Sequence, residues 1–138
     1  MEITKDLTIP KLFLDRAAQY GKSKVAMREK EFGIWKPITW HDYLENVKYT
    51  ALGLISLGMK PGDKITMIGD NRPEGLWAEM ATICARGIGV WLFQDCLMDE
   101  VKYIVDHSDT RFLFGEGQEE VDKAISIFDE CPKLEKVI

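Results

Sequence analysis

The chain has 138 residues, 46% of them hydrophobic and 10% aromatic, enough apolar surface for a packed core and too much for a disordered tract. Its 18 Lys and Arg against 23 Asp and Glu leave a net charge of -5, which repels a phosphate backbone on average and excludes nucleic acid as the expected partner. Cys84, Cys96 and Cys131 are odd in number and widely spaced, which fits neither a disulfide framework nor a zinc knuckle and points to a reducing, cytoplasmic setting.

Met1-Glu2-Ile3-Thr4-Lys5-Asp6 is charged, so neither a secretory signal nor a membrane span is expected there. Thr8 and Pro10 then precede Leu12, Phe13, Ala17 and Tyr20 at helical spacing, with Gly21 behind them, which predicts a capped amphipathic surface helix. Lys24 to Lys30 and Ile34 to Thr39 alternate in character around Phe32-Gly33, the pattern of a hairpin. In Thr39-Trp40-His41-Asp42 a threonine oxygen can cap a helix start and Asp42 can answer it three residues on. The helix that follows carries Trp40, Leu44, Val47, Ala51, Leu54 and Gly58 as its inner stripe, and Gly58 suits a left-handed end. Lys60-Pro61-Gly62-Asp63 is a tight turn.

From Lys64 onward strands alternate with helices. Strands are predicted over 64–69, 88–93 and 110–114, with helices from Pro73 toward Gly87, over 98–107 and over 118–129, and a last strand reaching Val137-Ile138. This order predicts an α/β fold: a partial doubly wound, mainly parallel sheet with helices on both faces, preceded by a small β-hairpin. No repeat, low-complexity tract or linker divides residues 1–138, which are expected to form a single subdomain. The stretch Leu76 to Ala85 is apolar on nearly every side and is expected between the sheet and another layer. Lys136-Val137-Ile138 has the character of a strand just begun, as if the architecture continued beyond it.

A phosphate cradle needs backbone amides converging at a helix start, commonly with a lysine. Gly69-Asp70-Asn71-Arg72-Pro73-Glu74-Gly75 stands between a strand and a helix, the correct place, but lacks the three-glycine spacing of a dinucleotide turn, and Pro73 removes a donor; a turn and capping role outweighs ligand contact. Gly87-Ile88-Gly89 joins a helix to a strand at the wrong end of the sheet and is expected to end the helix. Gly115-Glu116-Gly117 precedes a helix, yet Glu116, Glu119, Glu120 and Asp122 surround it with negative charge that repels a triphosphate. His41 and His107 lie at ends of different helices without a serine or cysteine partner, and Asp99-Glu100 complements a helix dipole. Trp35, Trp40, Trp77, Trp91, Phe93, Phe112 and Phe114 offer either an acyl-binding surface or a core, and their periodicity favours the core. Neither a catalytic residue nor a metal-ligating set emerges.

Several segments, taken in register, carry a resemblance. They are Thr8-Ile9-Pro10-Lys11-Leu12-Phe13, Thr39-Trp40 with its long helix, Leu57 to Lys64, Gly69-Asp70-Asn71-Arg72-Pro73-Glu74, Phe93-Gln94-Asp95, Glu100-Val101 to Tyr103-Ile104, and His107-Ser108. Each alone is ordinary turn or strand chemistry. In this order and spacing they resemble the adenylate-forming, AMP-binding superfamily of acyl-CoA synthetases, and more narrowly the amino-terminal part of its long-chain fatty acid–CoA ligases. Gly75 stands where such ligases often carry tryptophan, and Phe93 where tyrosine is frequent.

The resemblance implies an enzyme that uses ATP and magnesium to convert a fatty acid to an acyl adenylate, then passes the acyl group to the thiol of coenzyme A. It also implies that the phosphate loop, the adenine and ribose motifs and the catalytic lysine follow this region. On this reading the 138 residues are an inactive fragment whose partners are the rest of the ligase chain and its lipid substrate. It lies in the cytoplasm or peripherally at membranes, and the piece self-associates through its uncovered surface. Related synthetases place the counterparts of Phe93, Gln94, Asp95, Gly117 and Gln118 near the nucleotide part of coenzyme A; a simple strand-to-helix turn capped by Asp95 is the other reading. The rival class is a stand-alone, non-catalytic α/β interaction or binding module.

Overall fold

In the computed structural model, which describes residues 6–138, helix α1 (Ile9–Tyr20) starts where the Thr8 hydroxyl accepts from the Lys11 amide at 3.4 Å, and Gly21 ends it at φ 49°. Strands β1 (Val25–Glu31) and β2 (Ile34–Thr39) pair antiparallel, with Glu31 opposite Ile34. The two residues between them, Phe32 and Gly33, both have positive φ, 47° and 82°, the twist that a two-residue hairpin demands. Helix α2 (Trp40–Ser56) opens on the expected reciprocal cap: the Thr39 hydroxyl accepts from the Asp42 amide at 3.2 Å, and the Asp42 carboxylate accepts from the Thr39 amide at 3.0 Å. It closes at Gly58, φ 96°, with the Met59 amide reaching back to Leu54 O at 3.0 Å and Met59 buried against Leu54.

Strand β3 (Lys64–Gly69), helix α3 (Pro73–Cys84), β4 (Ile88–Phe93), α4 (Met98–His107), β5 (Thr110–Gly115), α5 (Gln118–Ser126) and the short β6 (Lys136–Val137) follow. The sheet has the order β4-β3-β5-β6, all parallel, so the chain steps from β3 outward to β4 and then crosses back over β3 to β5. Alternation sorts the side chains between two faces. Ile68, Leu92 and Leu113 pack with Val101, Val105, Ala124 and Ile127 of the α4–α5 layer, while Ile65 and Phe112 pack with Leu54 and Met59 on the α2 side. Helix α3 lies between the sheet and the α1–α2 pair, where Ala81 meets Phe13 and Val47, as its apolar composition implies.

Three expectations are corrected. Helix α3 ends at Cys84, before Gly87, and the left-handed residue is Arg86 at φ 67°. Gly87 is needed for space, since a β-carbon there would lie 2.2 Å from Met59 Cε and 3.1 Å from Asp63 O. Helix α5 ends at Ser126, and Phe128–Glu130 forms a separate 3-10 turn, because Ser126 turns its hydroxyl back onto Lys123 O at 2.7 Å and the helical ladder stops. The aromatic residues also divide. Phe112 is buried and Trp40, Trp77 and Phe114 are half-buried, but Trp35 and Phe93 are exposed, on the hairpin and at the end of the edge strand β4, and Trp91 remains 39% exposed although it packs over Gly75 of α3.

Candidate functional site

In an open α/β sheet, ligands enter the crevice at the carboxyl ends of strands whose following helices leave on opposite faces. Here those strands are β3 and β5, since α3 and α5 cover opposite faces. A cavity of about 410 Å3 opens at that place, walled by Met67, Gly75, Ala78, Trp91 and Phe114 and rimmed by Asp70, Arg72, Glu74 and Glu116.

Two glycine segments that are 46 residues apart meet at this rim. Glu116, in the β5–α5 loop, places a carboxylate oxygen on the Asp70 amide at the end of β3. Gly69 makes room for it, because a β-carbon there would lie 2.6 Å from Glu116. The other Glu116 oxygen accepts from Arg72 at 3.3 Å, and Arg72 also donates to Glu29 of β1 at 3.2 Å. The hydrogen bonds it donates to Glu116 and then to Glu29 hold the Arg72 guanidinium above its ordinary pKa. The side chain is well placed for this because Arg72, just before Pro73, is extended at φ -108° and ψ 157°. At the start of α5, the Glu120 carboxylate accepts from the Gly117 amide at 3.0 Å, while its second oxygen is buried without a partner.

This geometry decides what the crevice can hold. A triphosphate needs open amides and an available cation. Asp70 N–H and Gly117 N–H already serve carboxylates, and Arg72 is shared among Glu29, Glu74 and Glu116. The described residues at this crevice therefore do not fit a triphosphate with its magnesium ion, and their chemistry is that of a closed rim. Sequence reasoning treated the glycine segments one by one and missed the Glu29–Arg72–Glu116 chain, which spans three elements; the acidic run after Gly115 was the one local signal.

Phe93, Gln94 and Asp95 line a neighbouring cleft of about 280 Å3 with Gly69, Asp70, Asn71 and Trp91. Gly117 and Gln118 do not line it. Gln118 spends its amide on Asp122 at 2.7 Å, and the link between the two loops is Lys123 of α5, which donates to Gln94 O at 3.1 Å. Its ammonium is held above its ordinary pKa by Glu119 first, and also by the Glu120 and Asp95 charges. Asp95 does not cap α4: the N-cap is Leu97, whose amide donates to Glu100 at 2.8 Å. The ring of Phe93 is 85% exposed, a flat apolar face at the carboxyl edge of the sheet. His107 stacks on Tyr103 at 5.4 Å, away from this edge at the far end of α4.

Comparison with known proteins gives a consistent picture. The profile described as AMP-binding enzyme matches residues 13–138. A long-chain-fatty-acid–CoA ligase of Xenopus laevis is 25% identical over 132 residues, and a 4-hydroxybutyrate–CoA ligase of Metallosphaera sedula is 33% identical over 104 residues. These cover 96% and 75% of this chain, but in each case the match spans only 18% of the relative's own length. Among solved structures, the anthranilate CoA ligase AuaEII in complex with anthranoyl-AMP superposes with a TM-score of 0.84 at 19% identity, over 99% of this chain and 26% of that one. A putative long-chain-fatty-acid CoA ligase from Rhodopseudomonas palustris gives 0.83 at 19% identity, over 96% of this chain and 32% of that one. From Phe13 to Ile138, then, the chain belongs to the AMP-binding enzyme family.

Proposed function

We propose that this chain is the leading subdomain of an ATP-dependent fatty acid–CoA ligase and that it has no adenylation activity by itself. The observation that carries the reading is the family match over residues 13–138 together with relatives, named as CoA ligases, of which it spans 18%. In the whole enzyme a fatty acid carboxylate attacks ATP, releasing pyrophosphate and giving an acyl adenylate, and the coenzyme A thiol then displaces AMP. The closed rim of Asp70, Arg72, Glu74 and Glu116 supports leaving ATP and magnesium to polypeptide outside these residues.

The part of the site assigned to this chain is the edge formed by Phe93, Gln94 and Asp95, with Gly117 and Gln118 nearby on the next loop. The open ring of Phe93 is suited to stack on the base of coenzyme A, which is why this edge is preferred as one wall of the thiol-donor site. The protein acts in the cytoplasm, with its lipid substrate bringing it to membranes.

The test is exchange of labelled pyrophosphate into ATP in the presence of a fatty acid. No exchange is expected from the 138-residue chain, and exchange is expected once the continuing reading frame is joined to it. Exchange by the chain alone overturns the proposal. A stop codon directly after Ile138 instead favours a stand-alone interaction module, a reading to which the exposed Trp35 and Phe93 lend support.

A further inference from the structure

The hairpin tip carries a residue its backbone disfavours. Phe32 sits at φ 47°, in the left-handed region that a β-carbon and a bulky ring make costly, where asparagine or glycine is the usual occupant. Nothing in the fold compensates for this, because the side chain is 95% exposed. Next to it on β2, Ile34 is 67% and Trp35 60% exposed, so large apolar side chains flank the turn in solvent on both faces of the hairpin. An observed backbone outlier of this kind points to a task for the side chain.

The charge around the tip identifies what it meets. The chain as a whole is acidic at -5, yet the hairpin and its lead-in carry Lys24, Arg28, Lys30 and Lys36 against only Glu29 and Glu31. Glu29 pairs with Arg72 outside the hairpin and Glu31 with Lys36 within it, so Lys24, Arg28 and Lys30 carry the excess positive charge. Lys30 lies 5.8 Å above the Trp35 ring, so a cation and an amphipathic aromatic are presented side by side. Cations flanking a short apolar wedge complement an anionic bilayer surface, where aromatic rings settle at headgroup level and lysines reach the phosphates. A protein partner would need a socket for a convex tip, whereas a lipid interface accepts it without one.

We infer that the β1–β2 tip, Phe32, Ile34 and Trp35 beside Arg28 and Lys30, is a membrane-surface contact that inserts Phe32 among anionic lipids. It is independent of the ligase reading, since it requires neither ATP nor a substrate.

The experiment is flotation of the 138-residue chain with vesicles of phosphatidylcholine alone and of phosphatidylcholine mixed with phosphatidylglycerol. Wild type is expected to float with the anionic vesicles and to be released by high salt, because the exposed charges are screened. Phe32→Asn suits the turn and so folds at least as well by circular dichroism and melting, yet it is expected to lose binding several-fold. The pair Arg28→Gln and Lys30→Gln is expected to lose the preference for anionic vesicles. Wild type remaining unbound to both vesicles, or Phe32→Asn binding as well as wild type, overturns the inference. Self-association that Phe32→Asn abolishes, without vesicle binding, assigns the tip to a protein interface and overturns it too.

Discussion

Trp91 lies so close over Gly75 that a β-carbon on the glycine would come within 2.5 Å of the indole Cη2. The pair joins the first turn of α3 to edge strand β4 and forms a wall of the switch-point cavity. The indole that fills this corner comes from the neighbouring strand, and glycine is the residue that admits it.

Gly75→Ala tests this relationship with two opposing effects. Alanine favours a helix by about 1 kcal/mol, but its methyl must push Trp91 out of the cavity. No gain in thermal midpoint is expected, accompanied by a shift of tryptophan emission to longer wavelength. In a Trp91→Val background the same substitution should stabilise. A stabilised Gly75→Ala with unchanged emission would show that the indole is not held there.

Buried hydroxyls supply a second prediction. Thr66 and Thr110 place their oxygens 2.6 Å apart across β3 and β5, and Ser108 adds a third at 2.7 Å from Thr110, beside the register shift between Lys64 and Ile65. Thr110→Val removes the middle member and strands Thr66, which predicts a loss of about 1–3 kcal/mol in urea unfolding. Adding Thr66→Val should cost little more, because the orphaned group is then gone. Strictly additive losses would mean the hydroxyls are not coupled.

The cap of α2 predicts an acid dependence. The Thr39 hydroxyl, 2.6 Å from the Asp42 carboxylate, and then the Thr39 amide hold Asp42 below the ordinary aspartate pKa. A lowered folded pKa contributes stability that is complete above the ordinary value and lost as pH falls through the folded one. The melting advantage of wild type over Asp42→Asn should therefore be present at neutral pH and vanish in acid. Thr39→Ala, which removes the reciprocal bond, should cost about 1 kcal/mol. A wild-type advantage that grows on acidification would refute the assignment.

Phe93→Ala, in a chain extended to an active ligase, tests the proposed thiol-donor wall separately from the adenylation step. A several-fold rise in KM for coenzyme A with unchanged pyrophosphate exchange is the expected outcome. Equal loss in both assays would place Phe93 in the scaffold instead. The ring is exposed in the chain itself, so folding should be unaffected.

Much of the fold was legible because its signals are local. Thr8, Thr39 and Gly58 mark helix ends through bonds that reach no more than five residues, and β3 to β5 stand out by apolar runs between helical periods. Those features sufficed for the α/β class, and the ordered motifs from Thr8 to Ser108 sufficed for the family. They did not show that Phe93 faces solvent, because an edge strand has the same composition as a buried one until its neighbours are known.

The rim of the crevice belongs to tertiary structure alone. Glu29, Arg72 and Glu116 are separated by more than 40 residues, and they meet only because the chain crosses back over β3, setting the ends of β3 and β5 side by side with β1 against them. The sequence determined which residues are charged and which segments are helical or extended. The strand order decided which charges neutralise one another, and so which backbone amides remain open to a ligand, because a carboxylate satisfies an amide only at hydrogen-bond distance.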